Sequence, residues 1–171
     1  SDRNVPPGVH WQTLPRTNKV GYSLGSIKHA ITHPFDLVVC GHINLAPLCA
    51  ALKHMGRSRR MLTITYGVDI WDRLTPLKTR AFDDSDVATA LTDYTRERVL
   101  EWSKLPRGRI DLLYATANEE LFTPARKPAY LQKRYGTRGK KVLLTVGRLA
   151  SCDRYKGHDR VIEALPGILG Q

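Results

Sequence analysis

The sequence predicts an α/β protein with parallel, Rossmann-like sheets, and three observations carry that prediction. Short apolar, partly β-branched runs recur at residues 36–40, 60–65, 87–91, 109–114 and 142–146, the composition of strands in a parallel sheet. Segments of helical composition alternate with them. The runs hand over to those helices through turn residues, among them Gly41, Gly67, Thr92 and Gly147.

At 171 residues the chain can hold an ordinary core, and 42% hydrophobic with 25% charged residues is a globular composition. Its formal net charge is +11, from 27 Lys and Arg against 16 Asp and Glu. Between positions 123 and 160 eleven basic residues face only Asp153 and Asp159, so +9 of the charge sits in one segment. Such a segment suits an anionic ligand or acidic headgroups, and over residues 126–141 it reads as a solvated linker. It brings no aromatic ladder or known motif, so no nucleic-acid partner is expected. Cys40, Cys49 and Cys152 form no CxxC pair and are odd in number, which predicts neither a disulfide framework nor a zinc ribbon and fits a reducing, cytoplasmic setting. No apolar run approaches the roughly 20 residues of a membrane-spanning helix.

In chain order, residues 1–18 read as loop, 19–23 as a short strand, and 24–33 as a helix stopped ahead of Pro34. His29 and His33 lie four apart on that helix without a third ligand, which predicts an exposed face and not a metal site. Strand 36–40 leads into Gly41 and His42, then a helix at 43–55 with Pro47 in its first turn and Gly56 closing it. His42 has two readings of equal weight: it faces a ligand, or it hydrogen-bonds its own turn. After strand 60–65 come Tyr66, Gly67, Asp69 and Trp71, with Trp71 read as packing. Asp83, Asp84 and Asp86 include a minimal DxD, but between a helix at 76–82 and a strand at 87–91 they read as a turn, with no metal predicted. Thr92 or Asp93 caps the next helix. Beyond strand 109–114, Phe122 is expected to anchor the end of a first domain in an apolar pocket. A basic connection over 125–141 carries a short helix, Ala129–Tyr135, stopped by Gly136.

The last stretch carries the chemistry. Strand 142–146 is expected to be covered on both faces, followed by Gly147, Arg148, Lys156, Gly157 and an amphipathic helix. Ligands of open α/β sheets sit beyond the carboxyl ends of strands. There the Arg148 guanidinium can fork onto phosphate oxygens and Lys156 adds a point charge. Gly157 admits close backbone approach, and the first N–H groups of the helix favour an anion. A diphosphate meets all of these conditions.

The pattern GRL, a polar loop, YKG and a helix containing IEAL resembles the donor-site motif of the GT4 family, retaining glycosyltransferases of the GT-B fold. The resemblance implies that Gly147, Arg148, Lys156 and Gly157 hold the diphosphate of a nucleotide-sugar donor. It implies a metal-independent, hexosyltransferase-type enzyme without a further cofactor, acting on a sugar or lipid-linked acceptor, cytoplasmic and in peripheral contact with an anionic membrane. The turns at Gly41 and His42, and at Tyr66 and Gly67, would line the acceptor side, with His42 and Tyr66 as catalytic candidates. The implied organisation is an acceptor-side domain at residues 1–124, a basic linker at 125–139 and the start of a donor domain at 140–171. This would be an internal piece of a longer chain, inactive by itself.

Departures accompany the likeness: Tyr66 stands where the family commonly has His, Thr92 where it has Ser, Asn118 where it has Asp, and the proline and asparagine usual near the start of the 115–124 stretch are missing. A phenol, with an ordinary pKa of about 10, is a poor proton shuttle at neutral pH. Tyr66 therefore supports a second reading, a catalytically silent sugar-nucleotide-binding or scaffolding protein.

Overall fold

Of the described residues ahead of Pro34, Lys19–Thr32 form one helix, α1, and the strand expected at 19–23 is its first turns. A short apolar run is ambiguous between strand and helix. Here the helix satisfies the backbone internally, and the Ser26 hydroxyl donates to the Tyr22 carbonyl one turn back at 2.9 Å. The computed structural model describes residues 7–9 and 19–169, and the chain divides into two units, Ser1–Ala117 and Asn118–Gln171.

The first unit is built on β1 (Phe35–Cys40), β2 (Ser58–Thr65), β3 (Val87–Ala90) and β4 (Ile110–Leu112), paired in sequence order and all parallel. The connecting helices are α2 (Ala46–His54), α3 (Pro76–Asp83) and α4 (Asp93–Leu100). Each starts and stops on local chemistry. Pro47 lies in the first turn of α2, Gly56 closes its end at φ 67°, and the Thr92 hydroxyl caps α4 by accepting from the Thr95 N–H at 3.1 Å.

The register puts Cys40, Met61, Ala88 and Ile110 on one face of the sheet, where they share a core with Ala46, Cys49 and Ala50 of α2, Ala81 and Phe82 of α3, and Val99 of α4. On the opposite face Leu37, Val39 and Leu113 stay exposed. Strands added in one direction, each through a right-handed crossover, place all their helices on the same side. That is why the strands are not covered on both faces.

Asp83, Asp84 and Asp86 form the helix-to-strand turn. Asp83 Oδ1 accepts the Lys104 N–H at 2.8 Å, Asp84 Oδ2 lies 2.9 Å from His54 Nε2, and Asp86 Oδ2 accepts from both Lys53 Nζ and the Met61 N–H at 2.8 Å. Each carboxylate thus ties one element to another. Burial opposes ionisation of Asp86, but the Lys53 and Met61 hydrogen bonds outweigh it and hold the carboxyl below its usual range. The folded state therefore prefers the carboxylate, a preference complete above about pH 4 and lost as pH falls through the lowered value. In urea unfolding across this acid range, Asp86→Asn is expected to flatten the fall in stability that the unsubstituted protein undergoes. Parallel curves for the two proteins would refute that role.

In the second unit, α5 (Ala129–Tyr135) ends at Gly136, whose φ of 60° is the left-handed geometry glycine supplies. A 3₁₀ turn (Ser151–Lys156) precedes α6 (His158–Leu169). Two expectations fail here. Residues 142–146 form no strand, and Leu144 and Val146 are 82% and 86% exposed. A strand needs a neighbour to complete its ladder, and no strand occurs among the described residues of this unit. Phe122, 75% exposed, is not in an apolar pocket, because this unit has no buried apolar cluster among its described residues to receive it. Residues 125–139 lie in this second unit. Among the described residues no helix is long and apolar enough to cross a membrane.

Candidate functional site

In the second unit the residues of the expected anion site come together around Gly147. A Cβ at Gly147 would stand 2.9 Å from His158 Nε2, 3.1 Å from His158 Cε1 and 3.4 Å from Lys156 Cδ. The missing side chain therefore lets the first residue of α6 and the lysine stem close onto the backbone beside Arg148. Gly157, at φ 69° and ψ 27°, makes the left-handed turn from the 3₁₀ segment into α6 that brings His158 there. A cavity of about 210 Å³ opens at the same place, lined by Arg148, Leu149, Ala150, Arg154, His158 and Asp159.

The electrostatics favour an anion. Arg148 and Arg154 line the cavity at the start of a twelve-residue helix, two residues after Lys156, where a helix favours negative charge. Asp159 is the opposing charge. The Arg160 N–H first, and Arg154 at 3.6 Å, hold its carboxyl below the usual range against burial. His158 Nε2 is buried beside Gly147 without a hydrogen-bond partner.

His158 and Arg154 were not singled out in the sequence. The signal for His158 was present, since it directly follows Gly157 at the helix start. The contact with Gly147 is tertiary. Gly147→Ala is expected to drive the His158 ring off the backbone and shift its NMR resonances. Unmoved His158 resonances in that variant would exclude the close approach.

In the first unit Gly41 and His42 follow β1, and Tyr66 and Gly67 follow the adjacent β2, so both turns lie at the carboxyl edge of the sheet. His42 hydrogen-bonds its own turn: its Nδ1 accepts the Asn44 N–H at 3.1 Å. With Nδ1 accepting, a neutral ring carries its proton on Nε2, so this bond supports the turn role and leaves the ligand role untouched. Asn44 is held in turn by Lys78 Nζ at 2.6 Å from its Oδ1.

The second turn is braced beneath Tyr66. Asp69 Oδ1 accepts the Gly67 N–H at 2.8 Å, while its Oδ2 is buried without a partner. Trp71 packs edge-on against Tyr94 and donates Nε1–H to Thr95 Oγ1 at 3.2 Å, the packing role expected of it. Tyr66 itself is 47% exposed and open to a ligand. Around Gly41 a Cβ would meet nothing within 4 Å, and at Gly67 only an ordinary contact with Trp71 at 3.5 Å. Neither glycine is required by packing.

His29 and His33 stack with ring centroids 4.7 Å apart, and among the described residues no group of three or more His, Cys, Asp or Glu side chains is placed to hold a metal ion.

The first unit is thus of the α/β class, with an all-parallel, Rossmann-like sheet presenting two polar turns at its carboxyl edge. No family model matches the chain, and no curated protein matches it.

Proposed function

We propose that the protein is a glycosyltransferase of the GT-B type that moves a sugar from a nucleotide-sugar donor to an acceptor hydroxyl with retention and without a metal. The observation that carries this reading is the closure of Lys156 and His158 onto Gly147 beside Arg148, at the start of α6. Arg148 and Lys156 neutralise the leaving diphosphate, which gains charge as the glycosidic bond breaks, so they stabilise the transition state more than the ground state. The exposed turns at His42 and Tyr66 supply hydrogen-bonding groups for sugar hydroxyls.

Sugar release or transfer from a panel of nucleotide-sugars, assayed with the full-length protein, tests the proposal. Turnover of one donor supports it. The second reading, a silent sugar-nucleotide-binding protein, rests on Tyr66 at the place of a more apt proton carrier and predicts calorimetric binding without turnover. Absence of both binding and turnover sinks the two together.

A further inference from the structure

Residues 126–141 carry seven Lys and Arg and no Asp or Glu. The sequence alone reads this stretch as a solvated linker, and solvated it is, since all seven basic residues are exposed. It is not an extended tether. Lys127 Nζ donates to the Lys140 carbonyl at 3.2 Å, Gln132 Nε2 to the Lys127 carbonyl at 3.0 Å, and the Thr137 N–H to the Gln132 carbonyl at 3.0 Å, so the segment closes on itself around α5. Seven positive charges are thereby gathered in one place, and among the described residues none is paired with a carboxylate. The first unit does the opposite: Lys53, Arg96, Arg98 and Arg107 each meet an Asp or Glu. Like charges held together without counter-charge repel one another, and a polyanionic surface relieves that repulsion.

Two further observations choose the kind of surface. Tyr130 and Tyr135, both in α5, are 69% and 64% exposed, and the Arg134 guanidinium lies 5.4 Å from the centre of the Tyr135 ring. A tyrosine has an apolar body and a polar tip, which suits the headgroup level of a bilayer. Just after Lys141, Leu143 and Leu144 are 63% and 82% exposed. Apolar side chains gain by entering a lipid surface and gain nothing against the phosphates of a nucleic acid. Charge and apolar contact together are what reversible membrane binding requires.

We propose that residues 126–144 dock the protein on the surface of an anionic phospholipid bilayer. The lysines and arginines lie among the headgroup phosphates, the two tyrosines sit at headgroup level, and Leu143 and Leu144 reach the acyl boundary. The electrostatic part of this attraction acts within a Debye length, about 8 Å at physiological ionic strength, so the binding is peripheral and reversible. The inference rests on charge and exposure and is independent of glycosyl transfer.

Sedimentation of the full-length protein with vesicles tests the proposal. Vesicles of equal parts phosphatidylcholine and phosphatidylglycerol are expected to carry the protein down, vesicles of phosphatidylcholine alone to leave it in solution, and raised salt to release it. Lys133→Ala, Arg134→Ala, Lys140→Ala and Lys141→Ala combined should weaken vesicle binding at least about tenfold. Removing the same charge from the first unit, at the exposed Lys28, Arg73, Arg80 and Lys104, should change it little. An equal loss in the two variants would reduce the effect to net charge and overturn the proposal. Lysine acetylation with and without anionic vesicles, read by mass spectrometry, needs no variant: Lys133, Lys140 and Lys141 should be protected while Lys28 and Lys104 are not. Unprotected lysines in that segment, no sedimentation with the anionic vesicles, equal binding to both kinds of vesicle, or binding to duplex DNA in preference to anionic vesicles would each overturn it as well.

Discussion

Replacing Arg148 or Lys156 with Ala in the full-length protein is expected to raise the dissociation constant for the nucleotide-sugar about 10- to 100-fold. Each substitution removes a hydrogen-bonding charge from a diphosphate, and such bonds are worth roughly 1.5–3 kcal/mol. Arg148→Lys should recover only part of the loss, since a point charge cannot reproduce the fork of a guanidinium. Arg138→Ala, an exposed basic position on the connection, serves as control and should change affinity little. Calorimetric titration reads all four. Equal affinities across the set would remove the diphosphate from this site and with it the transferase reading.

Phe82→Ala is expected to cost the first unit about 3–5 kcal/mol, the range for truncating a buried Phe. Phe82 is fully buried, its ring centroid 5.1 Å from that of Trp102, and Trp102 is itself fixed by its Nε1–H donating to the Ile70 carbonyl at 3.0 Å. The cavity would open where α3 and the segment after α4 meet the sheet, so neighbours held by their own hydrogen bonds cannot easily collapse into it. Against a typical total of about 5–15 kcal/mol, that loss leaves the unit marginal. Urea unfolding followed by tryptophan fluorescence should show a large drop in midpoint with little change in slope. A shift below about 1 kcal/mol would mean that this cluster is not the cooperative core.

Much of the first unit was legible because its signals are local. Pro34, Pro47, Gly56 and Thr92 fix where helices start and stop, and the runs at 36–40, 60–65 and 87–91 became strands. The DxD-like acids were legible as a turn, because a carboxylate between helix and strand finds backbone N–H groups and cations nearby. The run at 19–23 was misread, since five residues fit either period and the helix that continued to Thr32 decided between them. At the candidate site Gly147, Arg148, Lys156 and Gly157 could be named from spacing, whereas His158 could not, as its role follows from a contact across eleven positions.

By itself the sequence determined the α/β class, the extents of α3 and α5 and the cap of α4, because propensity, capping and glycine geometry act over a few residues. Tertiary structure alone decided the rest. It set the single covered face of the sheet and the exposure of residues 142–146 and Phe122. Burial and strand pairing are relations between distant segments. An apolar run announces that it can be buried, but only a neighbour at the right distance removes it from water.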